Sequence, residues 1–230
     1  MKKLTFYTEV TYIVGLVMLA FGTALMTRGG FGMSMVVAPA YILHLKLSEL
    51  WPFFTFGVAE YLFQAVIIAV MMLILKKVRL IHLLTFVTTV IYGLLLDVSL
   101  LILPEIESGA YFIRVGLYIV GILMCTAAIA FLFKTYFPPA AYEVFVKNVS
   151  KHFNIRLFTF KTIFDCSLCV IAVLMSFLLL GRLEGVGFGT VVCALIYGTL
   201  IGLFTKMFDK IWFFKDKFNF QIFKESEGKQ

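Results

Sequence analysis

Few residues in this chain are of a type that does chemistry, and three of them stand inside long apolar runs. Glu60 and Gln64 are one helical turn apart, so on a helix they share a face. Asp97 follows Tyr92 and Gly93 by about one turn, toward the end of the run 80–103. A carboxylate inside a membrane-spanning run is costly and by default marks a functional site. Glu60, Gln64 and Asp97 are therefore expected to line a polar cavity together with the stretch 29–39. The competing expectation is that Glu60 and Asp97 hydrogen-bond neighbouring helices and fix their packing. Within 29–39, Gly30 and Gly32 permit a tight turn and close approach of backbone to an ion or ligand, with Ser34 just beyond. They are not a phosphate loop, because no G-K-[ST] follows and no strand precedes.

A second group is weaker. Glu143 and Asn148 sit on a basic, amphipathic segment opened by Pro138-Pro139, whose charged face could equally meet water. Asp165 lies four residues after Lys161, a spacing that a local ion pair explains. His44, His82 and His152 make no metal-ligand spacing, and Cys166-x-x-Cys169 lacks the second ligand pair or βαβ context that a metal or redox motif needs. No H-E-x-x-H, no G-x-S-x-G and no paired metal carboxylates are present, so neither an enzyme nor a bound cofactor is expected.

The elements that must position these residues follow from composition. Of 230 residues, 62% are hydrophobic and 14% charged, with a mean hydropathy of +1.01. Ordinary soluble domains run at about 45–50% apolar and about 25% charged. A soluble fold of this size could not bury the surplus, which leaves an integral membrane protein. Six runs approach the roughly 20 residues a spanning helix needs, at 8–27, 54–75, 80–103, 112–133, 162–180 and 186–205. Residues 31–47 and 137–153 are shorter or interrupted by prolines and charges.

Charge placement favours six crossings. With the N-terminus inside and neither short segment spanning, all 20 Lys and Arg are cytoplasmic except Arg28, Lys46, Arg114 and Arg182, as positive-inside orientation prefers. The +7 net charge thus reads as orientation, not as a nucleic-acid footprint. Residues 206–224 interleave lysines with Phe, Ile and Trp, the pattern of an amphipathic segment lying on the inner leaflet.

The sequence also repeats itself. Tyr12-Ile13-Val14-Gly15 returns as Tyr118-Ile119-Val120-Gly121, Phe54-Thr55-Phe56 as Phe158-Thr159-Phe160, and Thr85-x-Val87-x-x-x-Ile91-Tyr92-Gly93 as Thr190-x-Val192-x-x-x-Ile196-Tyr197-Gly198. The expected fold is all-α, with six transmembrane helices plus two short re-entrant or broken segments in two repeats (1–110 and 111–205), followed by a tail (206–230). Three crossings per repeat give inverted topology, and the alternative is eight crossings with parallel repeats. Inverted repeats with interrupted helices are a recurring plan of secondary transporters.

Several stretches resemble the YczE/YyaS/YitT group of small bacterial membrane proteins. They are Arg28-Gly29-Gly30-Phe31-Gly32-Met33-Ser34, Pro39, Phe54-Thr55-Phe56-Gly57 with Glu60-Tyr61 and Gln64, Tyr136-x-Pro138-Pro139 with Tyr142-Glu143-x-Phe145-Val146-Lys147, and Gly187-x-Gly189-Thr190. The resemblance runs from residue 8 to about residue 208. It implies a multi-pass bacterial cytoplasmic-membrane protein of transporter type, and it brings no substrate and no catalytic residues with it. The leading expectation is a secondary transporter whose partners are the bilayer, a small solute and a coupling ion, as a monomer or homodimer. A regulatory or scaffolding membrane protein is the alternative.

Overall fold

The computed structural model describes residues 4–76, 80–105 and 111–215. These form α1 (Thr8–Gly29), α2 (Ala38–Ser48), α3 (Phe56–Leu75), α4 (Leu80–Ile102), α5 (Tyr111–Leu132), α6 (Ala141–His152), α7 (Leu157–Leu180) and α8 (Phe188–Ile211), flanked by strands β1 (Leu4–Tyr7) and β2 (Trp212–Lys215). All helices but α2 and α6 are long and apolar enough to cross a bilayer, six in number. Their outward side chains fit lipid better than water: Leu101 is 86% exposed, Phe112 88% and Phe188 83%. The chain is an all-α, multi-pass membrane protein.

The two short helices do not cross. At 1.5 Å per residue their 11 and 12 residues extend only roughly 16 and 18 Å. Their connections settle the path. Arg28, at the end of α1, donates to the carbonyls of Leu100 (2.8 Å) and Leu103 (3.1 Å), so α1 and α4 end on one face. α3 starts on that face too, because Gly57 N donates to Asp97 Oδ1 near the end of α4 (2.8 Å). The chain between α1 and α3 thus dips in from that face and returns to it. On the face that carries the described ends of the chain, Lys134 after α5 pairs with Asp209 of α8 at 2.6 Å. Segment 133–156, with α6, enters and leaves there. Proline fits both turns: Pro39 sits in the first turn of α2, where no intrahelical donor is lost.

α1 and α5 form the central crossing, and they run antiparallel: Gly15 meets Ala128 and Leu132, and Gly29 meets Arg114 and Tyr118. Gly22 and Gly121 let the backbones touch, since a Cβ on Gly121 would stand 2.8 Å from the Gly22 carbonyl oxygen. Around this crossing the packing is the same when the halves are exchanged. α1 packs on α4 as α5 does on α8, α3 on α4 as α7 on α8, and α2 reaches across to α7 as α6 reaches across to α3. Side chains follow the same rule. Tyr12 stacks on Phe137 at 4.9 Å and shares a hydrogen bond with Thr88. Its sequence counterpart Tyr118 meets Phe31 at 5.7 Å and Cys193 Sγ at 3.4 Å.

The lysine-aromatic stretch departs from its expected form. Residues 206–211 continue α8, and Trp212–Lys215 pair in parallel with Leu4–Tyr7. Phe208 stacks on Phe131 at 4.2 Å, and Trp212 on Phe6 at 5.7 Å. Phe208 and Trp212 are thus packed inside the fold, while Lys206, Lys210, Ile211, Phe213 and Lys215 stay exposed. Residues 216–224 of that stretch lie outside the described residues.

Candidate functional site: a polar cavity between the halves

Segments 30–37 and 133–140 come from opposite faces, and their last residues reach one shared space. There a cavity of about 30 Å³ is lined by Ser34, Val36, Val37, Ala140, Tyr142 and Glu143 from the two short segments. Thr23, Glu60, Gln64, Tyr92, Cys125 and Tyr197 contribute from the long helices. This is room for one or two water-sized species. Val37 and Ala140 are the residues just before α2 and α6, so both short helices present their N-terminal ends here. Each such end carries a partial positive charge of up to about half an elementary charge.

The polar groups are organised around Gln64. Its Nε2 donates to Glu60 Oε1 (3.0 Å), and its Oε1 accepts from Thr89 Oγ1 and from the Ala141 backbone N–H, both at 2.8 Å. One side chain thus ties α3 to α4 and caps the buried start of α6. Tyr142 donates to Glu60 Oε2 at 3.3 Å. Glu60, Gln64 and Thr89 have no exposed surface. Across the cavity, the hydroxyls of Thr23 and Tyr92 lie 3.0 Å apart. Glu143 differs from Glu60: it is 3% exposed, and its Oε2 has no hydrogen-bond partner.

On the face where α1 ends, a larger vestibule of about 460 Å³ is lined by Met26, Thr27, Gly30, Phe31, Gly32, Met33, Tyr41 and residues 183–188. Its floor is built by backbone pairing of two loops: Met33 N donates to Gly185 O (2.9 Å) and Gly189 N to Phe31 O (3.0 Å). Non-helical backbone at this depth survives because such pairing satisfies it. Gly32 is required here: its φ is +101°, and a Cβ would lie 2.5 Å from the Gly187 nitrogen. Tyr197 of the inner cavity donates to Met26 Sδ of the vestibule at 3.5 Å, so this pair stands between the two spaces. Among the described residues no basic side chain lines either space.

Of the residues singled out in the sequence, Glu60, Gln64, Ser34, Tyr92 and Glu143 come together at the cavity, and Gly30 and Gly32 at the vestibule. Asp97 does not join them. It accepts from Thr55 Oγ1 (2.6 Å) and Gly57 N (2.8 Å), which commits it to the start of α3. Asn148 donates to Met71 Sδ at 3.7 Å, outside both spaces. Asp165 pairs with Lys161 at 2.8 Å as their spacing predicts, but both are buried, at 0% and 3% side-chain exposure. Tyr142, Thr89, Thr23 and Tyr197 were not singled out. Tyr197 was findable, since it repeats Tyr92; the others are hydroxyls whose position only the packing reveals. Among the described residues no group of three or more His, Cys, Asp or Glu is placed to hold a metal ion.

The comparison with family models decides the membership, with a match over residues 6–206. The chain belongs to a family of unknown function, DUF6198. The matched stretch is nearly the one over which the resemblance to the YczE/YyaS/YitT group runs, and the description it carries is this other one. No curated protein and no solved structure matches the chain.

Proposed function

We propose that the chain is a secondary transporter of a small neutral or cationic solute, working by alternating access between two inverted-topology repeats. The observation that carries the reading is the polar cavity where the N-terminal ends of the two short helices meet, a placement shared with transporters built on broken helices. The antiparallel α1–α5 crossing, with packing that is preserved when the halves are exchanged, supports the repeat as the moving unit. The absence of basic residues from the lining of either space argues against an anionic solute. The small inner cavity beside a 460 Å³ vestibule then corresponds to a state in which the Met26–Tyr197 contact narrows the path between them. On this reading the termini are cytoplasmic, and the membrane is the bacterial cytoplasmic membrane. All four basic residues on the other side are engaged close by: Arg28 and Arg114 on helix-end carbonyls, Lys46 on Glu49 and Arg182 on Glu184.

The test is flux into reconstituted vesicles, using light-scattering swelling for neutral solutes and membrane-adsorbed current recordings for cations. Protein-dependent flux is expected for at least one solute. Ser34→Leu, which fills the inner cavity, should abolish it, while Ser34→Ala keeps it. No flux above protein-free vesicles, or flux that Ser34→Leu leaves unchanged, overturns the proposal.

A further inference from the structure

We infer that Glu60 and Glu143 together form a binding site for one monovalent cation, either a proton or a sodium ion, inside the polar cavity. The argument begins with charge. Four ionisable side chains are buried in this region, at 0–3% exposure: Glu60, Glu143, Lys161 and Asp165. Lys161 is matched by Asp165 through a direct 2.8 Å contact. Glu60 and Glu143 remain, on α3 and α6, and both line the one cavity. The described groups that face them are Gln64 on α3, Thr23 on α1, Tyr92 on α4, Cys125 on α5, Tyr142 on α6 and Tyr197 on α8, with Ser34 ahead of α2. From α7, Lys161 and Asp165 also act on Glu143 through their charges; that cation and that anion offset each other in a direct pair, so the two glutamates are left uncompensated.

The backbone supplies part of what is missing. The N-terminal ends of α2 and α6 each contribute about half a positive charge. Two ionised carboxylates against two such ends leave a deficit of about one positive charge. An uncompensated charge away from water costs several kcal/mol, so a single bound cation brings the cavity to neutrality. The geometry matches that count. Glu60 already accepts from Gln64 and Tyr142, whereas Glu143 Oε2 lacks a partner. The cavity, about 30 Å³, has room for a small ion or for one or two waters. Carboxylate and hydroxyl oxygens are hard ligands, suited to sodium or to a proton rather than to a soft metal.

This binding does not depend on the transport reading; only its use as a coupling ion does. The test is therefore made on the purified full-length protein in detergent, with no solute present. Dicyclohexylcarbodiimide reacts with protonated carboxyls in apolar surroundings, and peptide mass spectrometry locates the adduct. Labelling of Glu60 or Glu143 is expected. A proton site predicts labelling that falls roughly tenfold per pH unit above its midpoint and is indifferent to replacing choline chloride by sodium chloride. A sodium site predicts that sodium, and not choline, protects at fixed pH. Glu143→Gln should shift the midpoint or the sodium dependence at Glu60, a readout that a merely structural role would not move. Absence of labelling at both residues at every pH, or labelling that responds to neither pH nor sodium, overturns the inference. Flux without a cation site would leave a uniporter, and a cation site without flux would remove the transport reading alone.

Discussion

The α1–α5 crossing makes a prediction that can be sized from the coordinates. Gly121→Ala introduces a Cβ 2.7 Å from Met26 Cγ, 2.8 Å from the Gly22 carbonyl oxygen and 3.0 Å from the Met26 nitrogen. Two of these neighbours are backbone atoms of the facing helix, so relief requires the helices to separate. Overpacking of this kind costs about 1–3 kcal/mol, or roughly 5- to 150-fold in the equilibrium for opening the crossing. Gly116→Ala, on the same helix with nothing within 4 Å, removes the contribution of intrinsic helix preference from the comparison. Cys125 provides the assay, because its thiol is 2% exposed and a Cβ on Gly22 would lie 2.8 Å from its Sγ. In a Cys166→Ser/Cys169→Ser background, maleimide labelling located at Cys125 reports how often the crossing opens. Gly121→Ala should raise that rate within the stated range, and Gly116→Ala should leave it near the parent value. Equal rates for both variants would show that the two backbones are not in contact at this crossing.

Other perturbations separate structural from functional groups. Gln64→Leu strips Glu60, Thr89 and the Ala141 N–H of a shared partner; leaving buried polar groups unpaired should cost about 2–5 kcal/mol, read as loss of thermal stability in detergent. Asp97→Asn turns an acceptor of two donors into a group with one acceptor oxygen, costing about 1–2 kcal/mol; stability should fall while solute preference in the flux assay stays the same. Lys161→Met leaves Asp165 buried without its partner and should destabilise by about 3–5 kcal/mol. Lys161→Met/Asp165→Leu should recover most of that loss in the same melt. Arg28→Ala removes two donors to the end of α4 and should lower the melting temperature clearly. Glu105→Gln, on a partner 89% exposed, should change stability by less than about 1 kcal/mol.

Much of the architecture is written locally in the chain. Lipid demands long apolar runs, and such runs are visible one window at a time, which is why α1, α3, α4, α5, α7 and α8 fall close to the runs read from the sequence. The two short helices betray themselves by prolines and charges where a span should be apolar. The duplicated Tyr12 and Tyr118, and Tyr92 and Tyr197, point to a common scaffold. Glu60 with Gln64 is legible for the same reason, because one turn of helix fixes their shared face.

What the local pattern does not contain is which buried polar group meets which. Glu60 and Asp97 look alike as carboxylates in apolar runs, yet one lines the cavity and the other accepts from the first turn of α3. For Glu143 the sequence leaves a binding role and a solvated amphipathic face both open; in the fold Glu143 is buried while Lys147 and Lys151 of the same helix stay exposed. Lys161 and Asp165 show their pairing in their spacing, while their burial comes from the packing around α7. In the lysine-aromatic stretch, only the packing shows that Phe208 and Trp212 stack on α5 and on the start of the chain while Phe213 stays exposed. By itself the sequence determined the number of spans and their approximate ends, because hydropathy and helical period act along the chain. Only the tertiary structure decided the cavity and its charge balance, because these arise where two short helices from different halves bring their N-terminal ends together, a meeting that depends on the antiparallel α1–α5 crossing.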